Sequence, residues 1–417
     1  MARRIGLRWW IIALVMLGTI VNYLTRSSLA VAAPTVLADL HIDEQHYSWI
    51  TGAFQAGIMM QPVVGYILDL IGLRTGLALF GAAWALLTMA HGLATNWQGL
   101  AALRGALGFA EGTSHTGGLK VVSEWFPAKE RGFAGGIYNL GASGGAALAA
   151  PLVAGAILLW NWRGAFLVCG LLALVWVALW LLFYAPPERH KGISPGERTL
   201  IVEGREAHVR ATEARPTFLS ILGRRNFWGI ALPRFLADPT WGTLTFWMPL
   251  YLTKVRGFDL AHIALFAFLP FVAADLGCLF GPALVLWLER KGLKLIDARR
   301  AAFTFGALLM TGTIFIGEVR NAYVAVALLC LAGFAHQTLS VTVITMATDL
   351  FRQNEVGTVA GLAGLFGNAG VLLSSLAIGA LVASIGYAPF FVLWGLLDLL
   401  GAAILWTFVR APVSAPT

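Results

Sequence analysis

The sequence predicts an all-α membrane protein whose twelve transmembrane helices form two pseudo-symmetric six-helix bundles. Three observations carry that prediction. Of 417 residues, 58% are hydrophobic and 12% charged, with a mean hydropathy of +0.76, whereas a soluble domain carries roughly 25% charged residues. A core this large could be buried in water, but so few charges could not cover it, and the solvent that tolerates apolar surface is lipid. Second, runs of about 20 mainly apolar residues, the length that crosses a bilayer, recur twelve times. Third, the chain repeats itself at a spacing of 225 positions. The 16 tryptophans agree, because Trp favours the membrane interface.

In chain order the apolar runs fall near residues 9–36, 45–68, 75–94, 98–122, 133–159, 163–184, 227–253, 260–288, 300–317, 321–348, 355–382 and 387–409. The first reads as a retained helix. It is too long for a signal-peptide core, and Arg26 interrupts it before the small residues Ala30-Val31-Ala32. A long polar stretch divides the runs six and six, giving bundles at 1–184 and 227–417 joined by a cytoplasmic linker at 185–226. Within the linker, Ser194-Pro195-Gly196-Glu197 is a capping box with proline at the first helical position. It predicts a short amphipathic helix of about 200–211 with a solvated, mixed-charge face.

Lys and Arg set the orientation, since cytoplasmic loops carry the excess. With both termini inside, the outer loops keep only Arg163, Lys254, Arg256 and Arg320. The expected location is therefore a cytoplasmic (inner) membrane, crossed many times with both termini on the cytoplasmic side. The repeat lays Gly108-Phe109-Ala110-Glu111 on Gly333-Phe334-Ala335-His336, then Phe126 on Phe351, Glu130 on Glu355, Gly132 on Gly357 and Gly136 on Gly361. Helices 4–5 and 10–11 are thus copies. Parallel repeats of this kind place a binding site at their interface near the bilayer midplane.

Several function classes drop out. The net charge of +8 does not mark a nucleic-acid binder, because the basic residues sit in short loops between apolar runs. Cys169, Cys278 and Cys330 all lie inside spans and make neither a disulfide framework nor metal spacing. No phosphate-binding motif is present, so ATP-driven transport has no support. Neither a catalytic set nor a cofactor is indicated.

Ionisable groups within spans are costly and functional by default. Glu111 lies mid-helix in a stripe with Arg104, Gly108 and His115 at i, i+4, i+7, i+11 spacing. A carboxyl group in a partly wet cavity can take a proton, and proton and anion binding nearby then favour each other. The structural alternative is a permanent Glu111–Arg104 ion pair. Arg26, after Tyr23 in the first helix, offers a permanent cation that grips carboxylates bidentately, so an anionic substrate is implied; the alternative is snorkelling to the interface.

His336 and Gln337 stand where the repeat places Glu111 and Gly112, suited to hydroxyl recognition. Asn139, Asn368, Ser374 and Ser375 are uncharged donors and acceptors fit for a polyhydroxy ligand, or for bonds between helices. Arg234 and Asp238 read as an intrahelical pair beside a turn broken at Pro233 and Pro239, and Asp275 and Asp398 stay unassigned, with interhelical packing or a helix cap as their default reading. In the loop Gly65-x-x-x-Asp69-x-x-Gly72-x-Arg74, Asp69 near a helix C-terminus opposes the dipole and needs partners. Asp69, Arg74 and Arg131 are candidate gating charges.

These residues resemble the major facilitator superfamily, through the Gly65–Arg74 loop, Arg104-x-x-x-Gly108 and the six-plus-six repeat. More narrowly the chain resembles the anion:cation symporter family and its bacterial hexuronate transporters. The stretches concerned are Tyr23-Leu24-Thr25-Arg26, 123–131, 227–237, 274–278 and 333–337. The resemblance implies proton-driven import of glucuronate or galacturonate by a monomer through alternating access. It also implies that Arg26 binds the carboxylate, that Tyr23 and Asn139 line the pocket, that Asn368 contacts hydroxyls and that Glu111 carries the proton. One departure matters. Other sugar-acid symporters of the family have an acid where Thr25 stands, so coupling is expected through Glu111 alone, assisted by His115 or His336. Symport of an aldonate or aldarate, drug/proton export and a non-transporting receptor remain the competing functions.

Overall fold

The computed structural model describes residues 6–127, 130–209, 218–351 and 353–410, apart from a few side chains inside helices. No strand occurs among them. The helices are α1 Leu7–Asp39, α2 Glu44–Met59, α3 Gln61–Ile71, α4 Leu73–Ala90, α5 Trp97–Glu111, α6 Thr113–Trp125, α7 Arg131–Leu159 and α8 Trp162–Phe183. Next come α9 Pro195–Val209, α10 Phe218–Leu222, α11 Arg225–Phe246, α12 Met248–Lys254, α13 Leu260–Phe266 and α14 Leu269–Arg290. The last four are α15 Leu295–Met310, α16 Ala322–Leu350, α17 Gln353–Ile385 and α18 Ala388–Phe408.

Among the described residues, nine helical stretches are long and apolar enough to cross a membrane. The three expected spans that miss this test, at 44–71, 97–125 and 225–254, are each interrupted. Pro62 and Pro249 sit in the first turns of α3 and α12, where a missing N–H is harmless but would break a helix interior. Gly112 separates α5 from α6. Pro233 and Pro239, expected beside a broken turn, instead lie inside an unbroken α11. The linker helix begins at Pro195, earlier than expected.

The chain divides into two compact units. One comprises Met1–Ile42, Ala56–Thr212 and Ile263–Leu265, and the other Asp43–Gln55, Glu213–His262 and Phe266–Thr417. In the first, an aromatic column runs up α8. Trp176 stacks on Trp84 at 5.3 Å and on Trp180 at 5.7 Å, and Trp180 stacks on Tyr184 at 4.0 Å. Trp176 and Trp180 donate their indole N–H groups to Leu14 O and Arg74 O, at 3.0 and 3.1 Å, whereas that of Trp84 is buried without a partner among the described residues. The second unit gathers Phe227, Phe303, Leu339, Met346 and Leu405 in one core.

Lipid is as apolar as leucine, so helices in it associate through close packing and hydrogen bonds rather than through the hydrophobic effect. Two glycines show this. A Cβ on Gly145 would lie 2.2 Å from Ile20 O, and one on Gly370 would lie 2.2 Å from Phe235 O. The two positions are related by the 225-residue shift, and each lets the fifth helix of its half touch the backbone of the first.

The repeat recurs in the polar contacts. Arg8 grips Glu130 through Nε at 2.9 Å and Nη2 at 3.3 Å, and Arg224 grips Glu355 at 2.7 and 2.8 Å. Each ties the start of the first helix of a half to the start of its fifth. Asp43 caps α2 by accepting from His46 N at 2.8 Å, and Asp259 caps α13 by accepting from His262 N at 2.8 Å. These amide bonds hold both carboxyl groups below the usual aspartate value of 3.8.

Two predictions follow from this packing and capping. Gly145→Ala and Gly370→Ala should each cost about 1–3 kcal/mol by overpacking, seen as a lower thermal midpoint in detergent, whereas Gly155→Ala, with open space around it, should not. A lowered carboxyl value stabilises the fold above the unfolded value and is lost as pH falls through the folded one. Asp43→Ala and Asp259→Ala should therefore lower the midpoint at neutral pH, with the deficit fading as the pH drops below 3.8; Asn, also a good cap, should restore it.

Candidate functional site

The first unit holds a buried polar cluster between α1 and the end of α5. Glu111, fully buried, closes α5, and the break at Gly112 puts His115 on the next helix. The single-helix stripe expected from Arg104 to His115 is therefore corrected. Its physical cause is local: Gly112 lacks the side chain that would favour a continuous helix. Thr113 and Thr116 instead hydrogen-bond back to Ala110 O at 2.8 Å and Gly112 O at 3.2 Å.

Glu111 reaches α1. Its Oε2 accepts from Arg26 Nε at 3.2 Å and its Oε1 lies 3.0 Å from Thr25 Oγ1. The partner is thus Arg26 and not the Arg104 weighed as the structural alternative. Arg104 donates through Nη1 to Arg26 O at 3.3 Å and acts on Glu111 electrostatically. Arg26 is further placed by Asn22 Oδ1 at 3.4 Å and by the Tyr23 ring, 4.5 Å from its guanidinium carbon. It therefore does not snorkel away; it is drawn into the bundle by a carboxylate.

In the second unit, His336 is buried and stacks on Trp241 at 5.7 Å and 16°, with no hydrogen-bond partner on Nδ1 among the described residues. Gln337 beside it is partly exposed. Asn368 accepts through Oδ1 from Gln55 at 2.8 Å. Ser374 is partly exposed; it is the neighbouring Ser375 that bonds Thr51 at 2.7 Å and Trp247 at 2.9 Å. Arg234 and Asp238 form their i, i+4 pair at 3.0 Å.

Of the gating candidates, Arg74 donates to Leu181 O at 2.7 Å, capping the carbonyl end of α8. The side chains of Asp69, Arg131, His115 and Asn139 lie outside the described residues. Two cavities of the second unit, about 20 and about 330 Å³, are lined by none of the predicted binding residues. Asn22, Gln55 and Trp241 were not singled out from the sequence. Asn22 had a signal, a polar residue one helical turn before Arg26. Gln55 and Trp241 had none, being uncharged residues in otherwise apolar runs.

The family profile of the Major Facilitator Superfamily matches residues 15–298. The hexuronate transporter of Escherichia coli strain K12 is 47% identical over 408 residues, covering 97% of this chain and 94% of that protein. The galacturonate transporter of Dickeya chrysanthemi is 48% identical over 336 residues, covering 80% and 97%. Among solved structures, a bacterial homolog of the human lysosomal transporter Spinster aligns with a TM-score of 0.77 at 15% identity. It covers 98% of this chain and 99% of its own, a likeness in fold alone. The chain belongs to the major facilitator superfamily. It is a multi-pass membrane transporter and not an enzyme.

The ion pair is testable as a pair. In a double-mutant cycle of Arg26→Gln and Glu111→Gln, thermal midpoints should give a coupling energy of about 0.5–3 kcal/mol, the double variant being more stable than the two single losses predict. Zero coupling would mean that the two charges do not interact in the folded protein.

Proposed function

We propose that this protein is a proton-coupled symporter that imports the hexuronates D-glucuronate and D-galacturonate across the bacterial inner membrane by alternating access. The observation that carries the proton half is at Thr25. Its one hydroxyl proton has two acceptors in range, Asn22 O at 2.8 Å and Glu111 Oε1 at 3.0 Å. Both bonds form together when Glu111 carries a proton and donates it to Thr25 Oγ1, leaving the threonine proton for Asn22 O. When Glu111 is ionised, the hydroxyl turns to it instead. The site is hydrogen-bonded in either state, as a position that loads and unloads a proton must be.

Arg26 supplies the anion half. While Glu111 is ionised it occupies the guanidinium. A proton on Glu111 removes that competing charge and releases the fork for a substrate carboxylate, which it can grip bidentately. Each ligand thereby raises the affinity for the other by the same factor. The substrate class rests on two relatives, nearly half identical, named for hexuronate and galacturonate. Tyr23, Asn139, His336, Gln337, Asn368 and Ser374 are assigned to the sugar, His115 to assisting the proton, and Asp69, Arg74 and Arg131 to the gate.

The test is uptake of radiolabelled glucuronate and galacturonate into proteoliposomes, with and without an inward proton gradient. Wild type should accumulate substrate with the gradient, and Glu111→Gln should lose accumulation while retaining exchange of substrate between the two sides. If neither acid is taken up, the hexuronate assignment fails; if Glu111→Gln accumulates normally, the proton is carried elsewhere.

A further inference from the structure

Asp398 plays no part in the reading above. It lies in the middle of α18 and is completely buried. Neither of its carboxylate oxygens has a hydrogen-bond partner among the described residues. The other two buried carboxylates among the described residues are both engaged, Glu111 by Arg26 and Thr25, and Glu355 by Arg224. Glycines three residues to either side close the position in. A Cβ on Gly395 would lie 2.9 Å from Thr313 Oγ1, and one on Gly401 would lie 3.5 Å from Pro233 Cα. The second contact sets this stretch of α18 beside the turn of α11 that carries Arg234.

Elements packed on α18 bring few charges to it. From α15, Arg299 is held by Asp349 and Thr345, and Arg300 by Asp297 and Val409 O with its guanidinium over Trp406 and its Nε buried without a partner among the described residues. From α17, Glu355 is held by Arg224. On α11, Asp238 acts on Asp398 electrostatically while paired at 3.0 Å with Arg234 Nη2. Arg234 Nε is buried without a partner, as is Nδ1 of His336, which also feels both charges of that pair. The cluster therefore holds more polar atoms than bonds.

An ionised carboxylate buried without a partner is costly by several kcal/mol, and such a group is held neutral by a proton instead. A neutral acid with a purely structural role would donate its O–H to a neighbour, and none accepts it here among the described residues. We propose that Asp398 is a second proton-binding site, in the second bundle, loaded in this arrangement. On unloading, the Asp398 O–H bond breaks and the proton passes to water.

The use made of this proton rests on the symport reading. Two proton sites and one monovalent sugar acid move a net positive charge inward, so that uptake responds to membrane potential as well as to pH.

The loading itself is read without any substrate. The infrared spectrum of purified protein at neutral pH, minus that of Asp398→Asn, should show the C=O band of an unionised acid, shifting in heavy water; a carboxylate band in its place overturns the proposal. The coupling is read in proteoliposomes given glucuronate under an inside-negative potassium diffusion potential at equal pH. Wild type and Asp398→Glu should accumulate it, and in Asp398→Asn the ratio of potential-driven to pH-driven uptake should fall to near zero. Potential-independent uptake by wild type, or an unchanged ratio in Asp398→Asn, overturns the coupling role. Wild type inert to both uronates would sink the hexuronate assignment, and the infrared band would still decide whether Asp398 holds a proton.

Discussion

The contact between Arg26 and Glu111 constrains the rest of the first unit. A charge at membrane depth survives only with a counter-charge or a wet cavity, and neither residue has a cheap alternative inside a bundle. Everything around the pair serves to bring them within 3.2 Å. The polar run from Asn22 to Ser28 turns one face of α1 inward, and α5 ends at the carboxylate itself. Arg104 fastens to the backbone of Arg26. Close approach of α7 at Gly141 and Gly145 then pins α1 against sliding, so that the guanidinium stays in register with its partner.

The two halves share this scaffold and differ in what they place on it. The Arg–Glu clasps, the Asp caps and the glycine contacts recur in both, because they answer the same packing problem. At the position of Glu111 the second half has His336, and its nearest charges, Arg234 and Asp238, neutralise each other on a single helix. The first half therefore holds an ion pair between helices, which can open only if helices or protons move. The second holds its pair within one helix and leaves Asp398 outside it. A duplicated frame has thus become asymmetric in its chemistry at a handful of positions.

The fold was legible because lipid imposes a length and a composition that local sequence must obey. Spans at 163–184, 321–348 and 387–409 need no tertiary information. Glu111 and Arg26 were legible as participants because a charge inside a span is conspicuous, yet their pairing was not, since 85 residues separate them and spacing along one helix pointed to Arg104. The break at Gly112 was missed because the i, i+4, i+7, i+11 spacing runs across it, and the break before Pro249 because the apolar run continues there. Gln55 was missed for a different reason. An amide within a span costs too little to stand out, and its bond to Asn368 is a property of packing alone.

The linker helix has a consequence for where the chain can be divided. Its capping box is only half formed: Ser194 accepts from Glu197 N at 3.3 Å, but the Glu197 carboxylate does not turn back. It accepts instead from Leu7 N and Arg8 N, at 3.0 and 3.1 Å, and from the Arg8 side chain. The linker's own glutamate thereby caps α1, filling bonds that the first helix of the chain has no side chain of its own to fill. If the gene is split so that the halves are expressed separately, a cut between Val209 and Phe218 keeps Glu197 in the same fragment as the helix it caps. A cut before Ser194 hands the cap of the first helix to the wrong fragment.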